Sequence, residues 1–88
     1  MRIDQLLKKL CLIKTRNIAK NACDKNLVKI NNKIAKASSL VKEGDVLEYE
    51  IYGFKNIIEI NTIPKGNVSK VKAPEFYTII ERTKLDLT

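Results

Sequence analysis

The chain opens with apolar residues at the spacing of an amphipathic helix. Four of them are separated by one, three or four positions: Ile3, Leu6, Leu7 and Leu10. This pattern predicts a helix over residues 4–11, and Cys11 extends its buried stripe. We expect the carboxylate of Asp4 to cap the helix N-terminus, where backbone N–H groups lack partners.

A second helix is predicted over residues 16–25. Thr15 precedes it and supplies a hydroxyl that can cap its first turn. Asn26 follows it and tolerates the left-handed conformation that commonly ends a helix. The buried face consists mostly of small residues, which let another helix approach closely: Ile18, Ala19, Ala22 and Cys23.

The rest of the chain has the short alternating runs of β-strands. Asn31 and Asn32 form the turn of a hairpin, since Asn accepts a positive φ. In VLEYEI the acidic residues Glu48 and Glu50 alternate with apolar ones, and we expect the two acids to lie on the face of the strand opposite the apolar side chains. A bulge is expected near Ile57. The predicted strands are residues 27–30, 33–36, 46–51, 54–63 and 76–80.

Two helices followed by short strands predict an α+β fold in which two N-terminal helices pack on a small, mostly antiparallel sheet. Residues 1–52 form the N-terminal domain, and residues 53–88 are its short, β-rich C-terminal extension. Leu40 and Val41 are expected to enter the core. Residues 65–72 read as a lysine-containing loop, residues 73–76 as one helical turn with Pro at its start, and residues 81–88 as a frayed tail.

Positive charge is concentrated in residues 2–42. This stretch holds 11 of the 17 Lys and Arg residues and only two acids, so its formal charge is +9 within a chain of net charge +7. Clustered cations favour a partner with regularly spaced phosphates, which indicates nucleic acid. Three alternatives remain: an ordinary solvated surface, an adaptor for an acidic protein, and an anionic membrane. The aromatic content of 6% counts against a sheet that stacks bases.

Several other classes of protein are disfavoured by the composition. The chain has no His, and Gly44, Gly53 and Gly66 are isolated rather than grouped in a cofactor-binding loop. We therefore expect a protein that is not an enzyme and that needs no cofactor. Its two cysteines are too few for a zinc site and are expected to be reduced, buried thiols of a cytoplasmic protein. No apolar run approaches the ~20 residues of a membrane span.

The start of the second helix combines several features of an anion site. Lys14, Thr15, Arg16 and Asn17 place two cations and a hydroxyl beside unpaired N–H groups at the positive end of the helix dipole. A phosphate group suits this combination. The alternative is that Thr15 only caps the helix and that the two cations are solvated.

Six short motifs follow one another in the first fifty residues. In chain order they are RxDxxL from Arg2, KTR from Lys14, the small residues Ala19 and Ala22, VxINN from Val28, KxS from Lys36 and VKxGD from Val41. Together they resemble the S4 RNA-binding domain, also called the alpha-L motif. The family usually has Gly at the positions of Asn26 and Asn32, and Asn is the residue that best replaces it there.

The resemblance implies an RNA-binding surface built from the starts of both helices and from the hairpin. Arg16 would clamp a phosphate with two hydrogen bonds, lysines would add charge, and hydroxyl and amide groups would bind phosphate or 2′-OH. The candidate residues are Arg2, Lys8, Lys14, Thr15, Arg16, Asn17, Lys20, Lys29, Asn31, Lys36 and Ser38.

The short length and the ending EFYTIIER resemble the stand-alone members of this family, of the RqcP and heat-shock protein 15 types. This likeness implies a cytoplasmic factor that binds the large ribosomal subunit obstructed by peptidyl-tRNA, through ribosomal RNA and tRNA. It would assist an RqcH-like factor of the NEMF family in adding an alanine tail, and would be a monomer off the ribosome. A role in ribosome assembly or in heat-shock recycling of subunits is the alternative.

Overall fold

A computed structural model describes residues 1–85 of the chain. Two helices precede five strands in this part of the chain, which confirms the predicted α+β class with two N-terminal helices and an antiparallel sheet. A single 3-10 turn with Pro at its start occupies Ala73–Phe76, as predicted. The elements are α1 (Ile3–Lys9), α2 (Arg16–Asp24), β1 (Val28–Ile30), β2 (Lys33–Ile34), β3 (Val46–Ile51), β4 (Phe54–Ile60) and β5 (Tyr77–Lys84).

The strands form one sheet in the order β2-β1-β3-β4-β5, and every neighbouring pair is antiparallel. Asn31 and Asn32 make the β1–β2 turn with φ values of 49° and 68°, so the predicted Asn-Asn hairpin is confirmed. The bulge expected near Ile57 is also present, as a register shift between Ile57 and Ile58. The sheet continues without interruption from the hairpin to β5.

The core lies between the two helices and one face of the sheet. The predicted stripe of α1 is fully buried, and the small residues of α2 bring the two helices close together. From the sheet, alternate residues of β3 and β4 complete the core. Its main members are Ile3, Leu6, Leu7, Leu10, Ile13, Ala19, Ala22, Cys23, Val28, Leu47, Ile58 and Ile60.

The start of α1 differs from the prediction, because Asp4 does not cap it. The helix begins at Ile3, and the cap position belongs to Arg2, whose side chain makes no capping hydrogen bond. The free N–H groups of Ile3 and Asp4 donate to the carbonyl oxygens of Ser39 and Ala37, at 2.8 and 3.4 Å. Backbone atoms from a distant segment thus satisfy these two N–H groups, and the Asp4 carboxylate accepts the N–H of the next residue, Gln5, at 2.7 Å from inside the first turn and not from the cap position.

The end of α1 also corrects a prediction. The helix stops at Lys9 rather than at residue 11, and Cys11 is exposed with a φ of 59°. The chain reverses there, and the N–H of Ile13 donates to the carbonyl oxygen of Leu7 at 3.2 Å. Ile13 therefore enters the core in the place expected for Cys11.

Two further predictions were wrong. Leu40 is 73% exposed, because its backbone pairs with Arg2 in an isolated bridge, while Val41 is buried as expected. The segment Glu81–Lys84 is not frayed, since β5 continues through it along β4. The rest of the predicted tail, apart from Leu85, lies outside the described residues.

The sheet has two faces of different character. The alternation of side chains and the strand register place the four glutamates of the strands on the face away from the helices. The predicted orientation of the acidic residues in β3, opposite to the core residues Leu47 and Tyr49, is thereby confirmed. The acidic residues of this face are Glu48, Glu50, Glu59 and Glu81.

Candidate nucleic-acid interface

Two arginines meet at one buried carboxylate. The Nη2 atoms of Arg2 and Arg16 lie 3.2 and 3.4 Å from the same oxygen, Oδ2 of Asp4. The other carboxylate oxygen accepts a hydrogen bond from the backbone N–H of Gln5 at 2.7 Å. The N-termini of α1 and α2 are thus joined at their surface by one group, which we call the arginine pair.

The arginine pair is arranged to receive an anion. The Asp4 side chain is only 4% exposed, whereas the side chains of Arg2 and Arg16 are 46% and 49% exposed. Each guanidinium has five N–H donors, and Asp4 uses only some of them. Both guanidinium groups are about half exposed, so their remaining donors are accessible to a ligand, and the net charge of the three groups is +1. A planar, oriented pair of this kind matches the geometry of phosphate oxygens.

Thr15 caps α2 as predicted, because its Oγ1 accepts a hydrogen bond from the N–H of Ile18 at 3.2 Å. The Thr15 hydroxyl proton stays available to a ligand. Three other candidates, Lys14, Asn17 and Lys20, are exposed on the first turns of α2 or just before it. Asn17 and Lys20 share the first turns of α2 with Arg16, whereas Lys14 lines a groove at the end of α1.

Lys36 and Ser38 belong to the segment whose carbonyl groups bind the start of α1. Both side chains are exposed, and the N–H of Lys36 donates to Oγ of Ser39 at 2.9 Å, which holds the segment in a turn. Because the following carbonyl oxygens accept hydrogen bonds from Ile3 and Asp4, this turn lies beside Arg2. These two candidates therefore adjoin the same surface.

Lys29 lies elsewhere. Its ammonium group is 3.6 Å from Oε2 of Glu48, and Lys55 lies 3.8 Å from the other oxygen of the same carboxylate. This places Lys29 on the acidic face of the sheet, away from the helices. Its charge is balanced there, so the structure separates Lys29 from the arginine pair.

Asn31 is occupied by contacts within the protein. Its Nδ2 donates to Oδ1 of Asp45 at 3.0 Å, and its Oδ1 accepts from the N–H of Val46 at 2.9 Å. Asp45 is 5% exposed and also accepts from the N–H of Lys42 at 2.9 Å. The Asn31 amide thereby joins the hairpin to the start of β3, which is a structural role.

Lys8 lies at the other end of α1, in a groove that sequence reasoning did not find. The groove has a volume of about 490 Å³ and runs between the end of α1 and the loop of residues 65–72. Lys9 holds the loop in place, since its Nζ donates to the carbonyl oxygen of Gly66 at 3.3 Å. We call this groove the lysine groove. The cations that line it are Lys8, Lys9, Lys14 and Lys70.

Asp4 is the main residue that sequence reasoning assigned to the wrong role. The motif RxDxxL contained the signal, because it keeps an acid two positions after the arginine. The pairing with Arg16 depends on how α2 packs against α1, which no local pattern reveals.

The chain is similar to known proteins in sequence and in fold. The family model described as S4 domain matches residues 1–47. A "RQC P-site tRNA stabilizing factor" of Bacillus subtilis is 41% identical over 86 residues, which is 97% of this chain and 98% of the relative. The chain belongs to the S4 domain family.

Other members and structures extend the likeness. The factor of the same name from Streptococcus pneumoniae is 34% identical, with 98% of this chain and 97% of the relative covered. The trimeric structure of heat shock protein 15 from Vibrio cholerae superposes with a TM-score of 0.82 at 25% identity, covering 90% of this chain and 80% of that one. The solution structure of a hypothetical protein gives 0.78 at 30% identity, with 92% and 98% covered.

In residues 1–85, no helix is long and apolar enough to cross a membrane. The resemblance to an S4 RNA-binding domain of the RqcP and heat-shock protein 15 types, expected from the sequence motifs, is confirmed by these comparisons.

Proposed function

We propose that this chain is a non-enzymatic, RNA-binding factor of ribosome-associated quality control. It binds the large ribosomal subunit that is obstructed by peptidyl-tRNA, and it contacts both ribosomal RNA and tRNA. The observation that carries this proposal is the arginine pair, two half-exposed guanidinium groups fixed by one buried carboxylate. The name of the relatives, which are stabilizing factors for P-site tRNA, supports the choice of RNA.

The arginine pair acts as a prearranged phosphate clamp. Fixing two long side chains before binding removes part of the conformational entropy that would otherwise oppose association. Each guanidinium then forms charge-assisted hydrogen bonds with phosphate oxygens. Around it, Lys14, Asn17 and Lys20 add charge and donors, and the Thr15 hydroxyl binds phosphate or 2′-OH.

The turn that follows the hairpin extends this surface. Lys36 and Ser38 adjoin Arg2, and they reach phosphates on the far side of the clamp from α2. Phosphate contacts of this kind read the shape of an RNA helix and not its base sequence. The protein therefore recognises a particular arrangement of RNA helices, such as a tRNA held against a ribosomal RNA helix.

Stabilisation of the tRNA follows from mass action. A ligand that binds only the tRNA-bearing subunit lowers the free energy of that state by an amount that grows with its concentration. The peptidyl-tRNA then stays in place while an RqcH-like factor of the NEMF family adds an alanine tail to the stalled chain. The protein does this in the cytoplasm and is a monomer when it is off the ribosome.

Gradient fractionation of a lysate that contains the tagged protein tests this proposal, with sequencing of the RNA that it retains. We expect co-migration with free large subunits that carry peptidyl-tRNA. Migration with small subunits, or with free tRNA or messenger RNA, would rule out the quality-control role and leave only RNA binding.

A second candidate is a role in ribosome assembly or in heat-shock recycling of subunits. The structural likeness to heat shock protein 15, with a TM-score of 0.82, favours it. The same gradient separates the two functions. An assembly factor would migrate with immature large subunits that contain no tRNA, whereas the quality-control factor requires the tRNA.

A further inference from the structure

A pocket of about 240 Å³ lies on the helix side of the sheet, next to the linker between α1 and α2. Most of the aromatic side chains of the protein meet there. The chain has three Tyr and two Phe residues, and four of these five line the pocket: Tyr49, Tyr52, Phe54 and Tyr77. Tyr49 is buried, Tyr52 is exposed, and Phe54 and Tyr77 are half-buried, so the fold brings three partly accessible aromatic rings together despite the low aromatic content.

Planar polar groups stand among the rings. Tyr49, Asn56 and Arg82 are direct neighbours in the registers of β3, β4 and β5, so their side chains form one row across three strands. The guanidinium carbon of Arg82 lies 4.4 Å from the centre of the Phe54 ring. This contact places a planar guanidinium over an aromatic ring, and both residues line the pocket together with Asn56.

The polar groups of the row have unused hydrogen-bonding capacity. Asn56 makes one long bond, from Nδ2 to the carbonyl oxygen of Phe54 at 3.4 Å. Within residues 1–85, its Oδ1 accepts no hydrogen bond and Arg82 forms no ion pair. An amide and a guanidinium beside aromatic rings supply the stacking and the edge contacts that a nucleobase requires.

The lysine groove adjoins this pocket. Cys11 borders both of them, and the N–H of Lys14 donates to the hydroxyl of Tyr52 at 3.3 Å. Neither lining contains an acidic residue, and the glutamates of the strands are on the opposite face. The aromatic pocket thus lies directly beside a cationic groove, with Cys11 in the lining of both.

We propose that these two neighbouring depressions bind one unpaired nucleotide of an RNA chain. The base stacks in the aromatic pocket and bonds to Asn56 and Arg82, and its phosphates lie in the lysine groove. Neither arginine of the arginine pair lines this site, although Lys14, which lies two residues before Arg16, belongs to the lysine groove. It rests on the proposed RNA-binding function and adds recognition of a base that is flipped out of a helix.

Two labelled RNAs test the proposal by fluorescence anisotropy at one salt concentration. One is a fully paired duplex, and the other is the same duplex with a single unpaired adenosine. Because a base that stacks on aromatic side chains adds to the affinity, we expect the wild-type protein to bind the bulged RNA about tenfold more tightly than the paired duplex. We expect Phe54→Leu to remove this preference and to leave the affinity for the paired duplex unchanged.

Two variants serve as controls. Phe54→Tyr keeps the ring and should keep the preference. Phe76→Leu makes the same change in the half-buried phenylalanine outside the pocket, and should also keep it. Circular dichroism establishes that each variant is folded, and if Phe54→Leu does not fold, Arg82→Ala replaces it, because Arg82 is exposed.

The outcomes distinguish this inference from the proposed function. Loss of the preference only in Phe54→Leu, or in its replacement Arg82→Ala, supports the nucleotide site. Equal binding of both RNAs by the wild-type protein, or an unchanged preference in the pocket variant, overturns it while RNA binding stands. Free adenosine monophosphate provides a further test. If it displaces the bulged RNA at a concentration as low as that at which the RNA itself binds, the site is a mononucleotide site and the proposal is overturned. Binding of neither RNA contradicts the proposed function itself.

Discussion

Arg2 and Arg16 donate to the same oxygen atom of Asp4, at 3.2 and 3.4 Å. The two arginines come from the starts of different helices, so this contact fixes how α1 and α2 are placed at the surface. Two guanidinium groups that both lie within 3.4 Å of one atom would repel each other if that atom did not belong to an anion. Asp4 supplies that anion from the protein side and leaves the solvent side of both groups open to a second anion.

The positioning role of Asp4 leads to a prediction that charge alone does not make. Asp4→Asn removes a negative charge next to the arginine pair, and simple electrostatics would then raise the affinity for RNA. We expect the binding free energy for RNA to become about 1–3 kcal/mol less favourable, because the two guanidinium groups lose the Asp4 carboxylate that positions them. Anisotropy titration with an RNA helix measures the change.

Asp24→Asn is the matched control for Asp4→Asn. It changes the net charge by the same amount at the exposed end of α2. We expect this control to leave the RNA affinity unchanged or slightly higher. If both variants strengthen binding equally, Asp4 does not position the arginines.

Binding of RNA should depend steeply on salt. Neutralising about four to six phosphates predicts a slope of roughly −3 to −5 for the logarithm of the affinity against the logarithm of the salt concentration. Arg16→Ala should reduce this slope by about one, since it removes one phosphate contact. A flat response would contradict the phosphate clamp.

Cys23 makes the stability of the fold dependent on alkaline pH. Burial, with smaller contributions from Asp4 and Asp24, raises the pKa of the Cys23 thiol from 9.0 to about 11. Between these values the unfolded chain releases the proton and the folded chain keeps it, so the free energy of unfolding falls as the pH rises. We expect a loss of roughly 2–3 kcal/mol between pH 9 and pH 11, from about 1.4 kcal/mol for each pKa unit.

Urea denaturation at several pH values measures this loss. Cys23→Ala lacks the titrating thiol and should show a smaller decrease across the same window, whatever its stability at neutral pH. An equal decrease in the variant and the wild type would mean that other groups, such as the buried Tyr49 whose pKa is also raised by burial, are responsible.

The hairpin turn offers a test of backbone conformation. Asn32 has a φ of 68°, and glycine adopts this region without strain. We expect Asn32→Gly to raise the free energy of unfolding by a few tenths of a kcal/mol, and Asn32→Ala to lower it by about 1 kcal/mol. Denaturation midpoints of the two variants give the comparison, and stabilisation by alanine would contradict the assigned turn.

The sequence predicted features that depend on neighbouring residues. The apolar stripe of α1, the Thr15 cap and the Asn31-Asn32 turn each follow from spacing or from the chemistry of a few adjacent positions. The pairing of Asp4 with Arg2 and Arg16 did not follow, because it depends on how α2 packs against α1 and on the distant carbonyl oxygens of Ser39 and Ala37 that hold the start of α1. Contacts between distant segments leave no local pattern.

The candidate site was predictable to a similar extent. The cations before and within α2 share one end of a helix, so their grouping follows from the helix itself. The pairing of Lys29 with Glu48 depends on the register of β1 against β3. Because this register is not visible in the sequence, the position of Lys29 on the acidic face of the sheet was not predicted. Asn31 likewise joins the hairpin to β3. The aromatic pocket depends on three strand registers at once, and composition alone argued against it.

The most direct test of the account is the affinity of the purified protein for large ribosomal subunits with and without peptidyl-tRNA. We expect the wild-type protein to prefer subunits that carry the tRNA. Arg16→Ala should weaken that binding by about 1–3 kcal/mol and leave the fold intact, while Lys33→Ala, which removes an equal charge on the hairpin, should not. Equal affinity for both kinds of subunit, or normal binding by Arg16→Ala, would contradict the account.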